Sequence, residues 1–151
     1  MKRLTHDEYF MELAKTVALR SPCLNRQVGC VLVDSSNHIL STGYNGPPSK
    51  IEHCIMCKRK GTDEGENLHL CQSVHAETNA LLQCPDVRKI ETCYVTINPC
   101  EICLRMLANT ATKRIVFETL YSASSIKYVK LFWVKRLGRQ LAIVLTRRKT
   151  N

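Results

Sequence analysis

The chain has no long hydrophobic run. Its apolar stretches fall far short of the roughly 20 residues a membrane span requires, and Met1-Lys2-Arg3-Leu4-Thr5-His6-Asp7 offers no apolar signal segment. The expectation is a product that stays in the cytoplasm. No internal repeat, low-complexity tract or long linker divides the 151 residues, which is the size of one domain with a real core, read as residues 1–151. An even cysteine count is also missing. Nine cysteines in an unsecreted chain exclude a complete disulfide framework and favour metal or core roles. Acidic residues are missing after Glu118, whereas Lys127, Lys130, Lys135, Arg136, Arg139, Arg147, Arg148 and Lys149 lie there, so nearly all of the +9 net charge belongs to this end. A basic end attracts nucleotide phosphates or nucleic acid, but it serves equally as a solvated helix face with a frayed tail.

What is present reads as alternating helices and strands. Thr5-His6-Asp7-Glu8 is a capping box, and the helix behind it carries Phe10, Leu13, Val17, Ala14 and Ala18 on one stripe, ending near Ser21-Pro22. Val28 to Val33 and His38 to Tyr44, separated by Asp34-Ser35-Ser36-Asn37, predict a hairpin, with His38 an exposed residue beside the turn. Gly43-Tyr44-Asn45-Gly46-Pro47-Pro48 breaks the second strand and holds Asn45 on a fixed path. Thr92 to Ile97 and Lys113 to Phe117 are the third and fourth strands. A helix is expected from Ser124 to Leu137 on the spacing of Ile126, Val129, Trp133 and Leu137, with Gly138 as its C-terminal cap, before a fifth strand at Leu141 to Leu145. Such alternation gives a sheet covered on both faces.

The chemistry concentrates in Ser73 to Leu82 and Asn98 to Cys103. His75 and Glu77 open one apolar-periodic helix, and Cys100 and Cys103 open another. One imidazole and two thiolates are the inventory of an open zinc site that keeps a position for solvent. Both ligand-bearing ends are helix N-termini, where backbone N–H groups and the macrodipole favour thiolate. Glu77, two residues after His75, is rotated by about 200° around the helix, so it escapes ligation and can stand beside the water as proton carrier. A lone C-x-x-C is equally a redox pair or half of a structural zinc ribbon; the conjunction with H-x-E sets this pair apart.

The remaining cysteines fall into two groups. Cys30, Cys84 and Cys93 read as small core residues. Cys54, Cys57 and Cys71 lie in a polar segment, Ser49 to Gln72, without helical or strand period. A loop of that length inside a compact domain is usually functional or pinned. With Cys23 these thiols suit a closed Cys₄ zinc site, His53 and His69 being substitute ligands; the other reading is unpaired thiols in a mobile loop.

The H-x-E … P-C-x-x-C pattern is that of zinc nucleobase deaminases. The chain resembles the deoxycytidylate (dCMP) deaminases of the zinc-dependent cytidine/deoxycytidylate deaminase family. The residues that carry the likeness are Ser21-Pro22-Cys23, Arg26-Gln27-Val28-Gly29, Ser41-Thr42-Gly43-Tyr44-Asn45-Gly46, His53-Cys54, Val74-His75-Ala76-Glu77 with Asn79-Ala80, and Pro99-Cys100 with Cys103. The resemblance implies a three-layer α/β/α fold on a five-stranded mixed sheet. It implies a catalytic Zn²⁺ on His75, Cys100 and Cys103, Glu77 as the catalytic proton shuttle, and a structural Zn²⁺ on Cys23, Cys54, Cys57 and Cys71. It places Asn45 at the sugar and Tyr121 near the base or phosphate, with Arg26 and Ala76 also at the substrate. Asn25 stands where many relatives have Arg, and Cys57 follows Cys54 more closely than usual. The implied reaction is hydrolysis of dCMP to dUMP and ammonia, commonly in a hexamer regulated by dCTP and dTTP, with Mg²⁺ accompanying the triphosphate and no membrane partner. Rival readings are a deaminase of dCTP, tRNA or single-stranded DNA, a regulatory nucleotide binder, and a zinc-ribbon nucleic-acid module that pairs Cys54 and Cys57 with Cys100 and Cys103.

Overall fold

The computed structural model describes residues 1–62, 66–120, 133–137 and 140–145. Helix α1 (His6–Ala18) starts where the capping box requires: the Thr5 N–H donates to Glu8 Oε2 at 2.7 Å, and the Glu8 N–H donates to Thr5 Oγ1 at 3.2 Å. Strands β1 (Gly29–Val33) and β2 (Ile39–Tyr44) form the expected hairpin. At its turn Asp34 Oδ1 accepts from the Ser36 and His38 N–H groups, Asn37 takes a left-handed φ of 63°, and His38 is exposed. Helix α2 (Ala76–Gln83), strand β3 (Thr92–Ile97), helix α3 (Glu101–Ala108) and strand β4 (Arg114–Thr119) follow, with short 3₁₀ turns at Leu68–Leu70 and Val87–Lys89. The chain then adds β5 (Trp133–Leu137) and β6 (Gln140–Val144).

The sheet runs β2-β1-β3-β4-β6-β5 and is mixed: β3 and β4 pair in parallel across α3, and the other neighbours are antiparallel. All five expected strands are in it, and the sixth is the correction. Residues 133–137, assigned in sequence to the end of a helix, are a strand; 124–132 lie outside the described residues. Four apolar positions at helical spacing are weak evidence over so short a window. The unpaired edge of β6 offers 133–137 a complete ladder of backbone partners, which decides the matter. Gly138, expected as the cap of that helix, lies outside the described residues.

Strand alternation sorts the core into two layers. Val31, Val33, Tyr94, Val116 and Ala142 meet Phe10, Met11 and Ala14 of α1 on one face. Cys30, Leu32, Cys93, Val95, Ile115, Phe117 and Ile143 meet Ala76 and Ala80 of α2 and Leu104 and Leu107 of α3 on the other. The three-layer α/β/α architecture follows from this period of two. Cys30 and Cys93 are fully buried and Cys84 packs at the core margin, as small apolar residues do. No helix among the described residues is long and apolar enough to cross a membrane.

Two glycines set the helix heights. A Cβ on Gly29 would sit 2.0 Å from the Ala14 carbonyl oxygen, and one on Gly43 would sit 2.3 Å from the Ala76 carbonyl oxygen and from the Ala80 nitrogen. Gly43 is therefore inside β2 for close approach of α2, and the turn proper begins after Tyr44.

Candidate metal centre and active site

Three ties bring the start of α2 onto the sheet. Gly46 and Val74 exchange backbone hydrogen bonds of 3.1 and 2.8 Å, closing the long loop 47–73 at its base. Asn79 Nδ2 donates to the Tyr44 carbonyl at 2.8 Å, and Ser41 Oγ donates to the Ala80 carbonyl at 2.8 Å. His75 is then the N-cap residue of α2, with extended backbone (φ −69°, ψ 155°) that throws its ring forward instead of along the helix.

Cys100 holds the same position at α3. Its Sγ accepts from the Cys103 N–H at 3.5 Å, so the sulfur does the work of a capping oxygen. β3 and the Asn98-Pro99 step aim it, the Asn98 N–H donating to the Thr119 carbonyl of the neighbouring strand end at 3.0 Å. Cys103, one turn on, is buried with Leu104 and Leu107.

These two helix starts converge. Both sulfurs lie 3.4 Å from His75 Nδ1, and the three ligand atoms are all within 4.8 Å of one another. A tetrahedral ion with Zn–S of about 2.3 Å and Zn–N of about 2.0 Å separates nitrogen from sulfur by about 3.5 Å, so the donor set and its spacing fit zinc with three protein ligands. Among the described residues this is the group of metal-binding side chains that the fold assembles. Cys23, Cys54, Cys57 and Cys71 carry free thiols and are not gathered in this way; Cys54 and Cys71 are exposed.

The three groups shift one another's proton affinities. Cys100 is pulled down to about 4, first by the hydrogen bond from the Cys103 thiol and also by the imidazole, making it the thiolate of the pair. Cys103 is pushed up by its hydrogen bond to Cys100, by burial and by the Glu77 charge. His75 is raised by its hydrogen bond to Cys100, against the opposing charge of Arg59 from the long loop. Glu77 is 4 % exposed, and burial raises its carboxyl above the usual range. A buried carboxyl next to the ligands is placed to take up and return a proton.

The expected substrate residues are distributed less evenly. Asn45 is buried, and its side chain staples the loop before β1: Oδ1 accepts from the Val28 N–H and Ser21 Oγ, both at 2.7 Å, and Nδ2 donates to the Arg26 carbonyl at 2.8 Å. Ala76 is fully buried at the first turn of α2, and Arg26 is half-buried. Tyr121 lies outside the described residues. Sequence reasoning missed Arg59, a cation in a stretch with no periodicity, and Thr78, whose Oγ1 is 3.8 Å from Cys103 Sγ. The signal for Thr78 was its place one residue after Glu77 on a ligand-bearing helix.

An α/β/α sheet that presents an imidazole and a thiol pair from two helix starts, beside a buried carboxyl, defines the class of open metal centres. Known proteins narrow the class. Residues 4–119 match the model of the cytidine and deoxycytidylate deaminase zinc-binding region. The chain is 37 % identical over 125 residues to a deoxycytidylate deaminase of Mycobacterium phage D29, covering 78 % of this chain and 97 % of that one. It is also 37 % identical over 125 residues to the Saccharomyces cerevisiae deoxycytidylate deaminase, covering 80 % of this chain but 40 % of the yeast protein. It therefore spans less than half the length of that relative. Crystal structures of the cyanophage S-TIM5 dCMP deaminase share the fold; the complex with dCMP and dUMP superposes with a TM-score of 0.69 at 24 % identity over 87 % of this chain and 94 % of that one. The chain belongs to the cytidine and deoxycytidylate deaminase zinc-binding family.

Proposed function

We propose that this chain is a single deaminase domain that hydrolyses dCMP to dUMP and ammonia. The observation that carries the reading is the trio His75, Cys100 and Cys103 with the non-ligating, buried Glu77 beside it. Zinc, when bound by the trio, supplies a Lewis acid that lowers the pKa of water toward about 7. Glu77 accepts the proton of the attacking water as its oxygen bonds to C4 of the cytosine ring, gives that proton to N3, and carries the second to the departing ammonia. The C4–N4 bond breaks, and water and dCMP are accounted for in dUMP and ammonia.

The names of the 37 % identical relatives support the deoxynucleotide monophosphate as substrate. Arg59, whose charge reaches His75, and Arg26 on the Asn45-stapled loop are the cations we assign to its phosphate. Asn45 has a second Nδ2 hydrogen for the sugar, and Ala76 walls the site; Tyr121, expected near the base or phosphate, lies outside the described residues. The wider proposal includes a second, structural zinc on Cys23, Cys54, Cys57 and Cys71, which would offset the ordering entropy of the long loop. It also includes regulation by dCTP and dTTP with Mg²⁺, and a homo-oligomer, supported by the exposed Leu82 of α2 and Ile102 of α3. Nine free thiols suit a reducing cytoplasm.

The test is a panel of dCMP, dCTP, deoxycytidine and a short cytosine oligonucleotide, run on wild type and Glu77→Ala with zinc measured in both. Turnover of dCMP well above the others, falling by about 10²–10⁴ in Glu77→Ala with its catalytic zinc retained, is the expected result. Preferred turnover of the oligonucleotide, or a Glu77→Ala protein as active as wild type, overturns it.

A further inference from the structure

A threonine hydroxyl in an α-helix ordinarily turns back to the carbonyl four residues earlier, and Thr16 of α1 does so, donating to the Glu12 carbonyl at 3.1 Å. Thr78 of α2 does not. Its Oγ1 faces across to α3 and lies 3.8 Å from Cys103 Sγ, while the Val74 carbonyl behind it accepts from the Gly46 N–H. The two sulfurs of the centre are thereby served unequally. Cys100 Sγ has a backbone N–H donor, that of Cys103; Cys103 Sγ has the Thr78 hydroxyl.

Chemistry fixes the direction of the contact. A thiolate that ligates a cation carries no proton, so the hydroxyl is the donor. The donor is also placed where charge accumulates away from water, since Cys103 is 1 % exposed. A hydrogen bond there draws electron density from the sulfur. It also orients the sulfur by joining α2 to α3.

We propose that Thr78 is a positioning residue of the metal centre, its hydroxyl donating to the Cys103 thiolate and so moderating how much charge that sulfur gives to the ion. The inference rests on His75, Cys100 and Cys103 being the zinc ligands. Groups of this kind commonly change affinity or activity by 10- to 100-fold when removed.

The test replaces zinc with cobalt in the full chain and records the sulfur-to-cobalt charge-transfer band for wild type, Thr78→Val and Thr78→Ser. Without the donor the sulfur is easier to oxidise, so the band moves to longer wavelength in Thr78→Val, and Thr78→Ser restores it. In the zinc proteins Thr78→Val lowers kcat by about tenfold with little change in KM, and Thr78→Ser recovers it. Should Thr78→Val fail to fold, Thr78→Ala removes the hydroxyl without bulk and carries the same comparison. A band and kcat in Thr78→Val equal to wild type overturn the proposal while leaving the ligands in place. A wild type that takes up cobalt with no sulfur band overturns the ligand assignment and this inference with it.

Discussion

Tyr94 shows how one side chain in the middle of β3 ties the sheet to α1. It is 1 % exposed, and its hydroxyl donates to Asp7 Oδ1 at 2.7 Å, while Arg114 Nη2 donates to Asp7 Oδ2 at 2.9 Å and Gln140 Nε2 to the Asp7 carbonyl at 3.2 Å. Removing the hydroxyl with Tyr94→Phe forfeits a hydrogen bond to a charged acceptor, so urea unfolding at pH 7 is expected to show a loss of about 2 kcal/mol. Burial and the bond to Asp7 raise the Tyr94 pKa. A group raised on folding contributes its stability below its unfolded pKa, about 10 for tyrosine, and loses it as pH rises beyond that value. Wild type should therefore weaken above pH 10 by a component absent from Tyr94→Phe, and the gap between the two should narrow there. Equal slopes for the two proteins above pH 10 would contradict the network.

At the scale of elements, the position of α2 governs the chemistry, because His75 precedes it and Glu77 lies in its first turn. Its contact with β2 is set by Gly43, where any Cβ meets helix backbone at 2.3 Å. Backbone cannot swing aside as a side chain does. Gly43→Ala is expected to cost at least about 1–3 kcal/mol, read as a lower denaturant midpoint, and to weaken metal binding because α2 is lifted off the sheet. An unchanged midpoint would mean that α2 is not seated as described. The sequence displays the G-Y-N-G segment plainly but presents Gly43 as a turn residue, since nothing local reveals which helix lies over a strand. The end of the helix expected at 124–137 differs for the same reason: over 133–137 the edge of β6, not local periodicity, determined the outcome.

For the whole molecule, the metal is part of the folding equilibrium. Three ligands from two helices meet only in the native state, so an ion that binds them stabilises the fold by mass action, about 4 kcal/mol at a free concentration 1,000 times its Kd. Chelation should lower the thermal midpoint, added zinc should restore it, and Cys100→Ser should blunt both responses. A midpoint indifferent to chelator in wild type would argue against a bound ion.

Spacing within a few residues was enough to display the H-x-E and C-x-x-C pairs, the capping box of α1 and the β1–β2 hairpin; that His75 meets Cys100 and Cys103 and that Glu77 is buried came from packing. The sequence also displayed the two-faced strands, since alternation is written into the chain. Tertiary structure alone decided that Asn45 staples a loop, that Arg59 and Thr78 attend the centre, and that 133–137 is a strand. Those outcomes depend on partners distant along the chain, and only the packed sheet and its helices bring such partners within reach of a hydrogen bond or a charge.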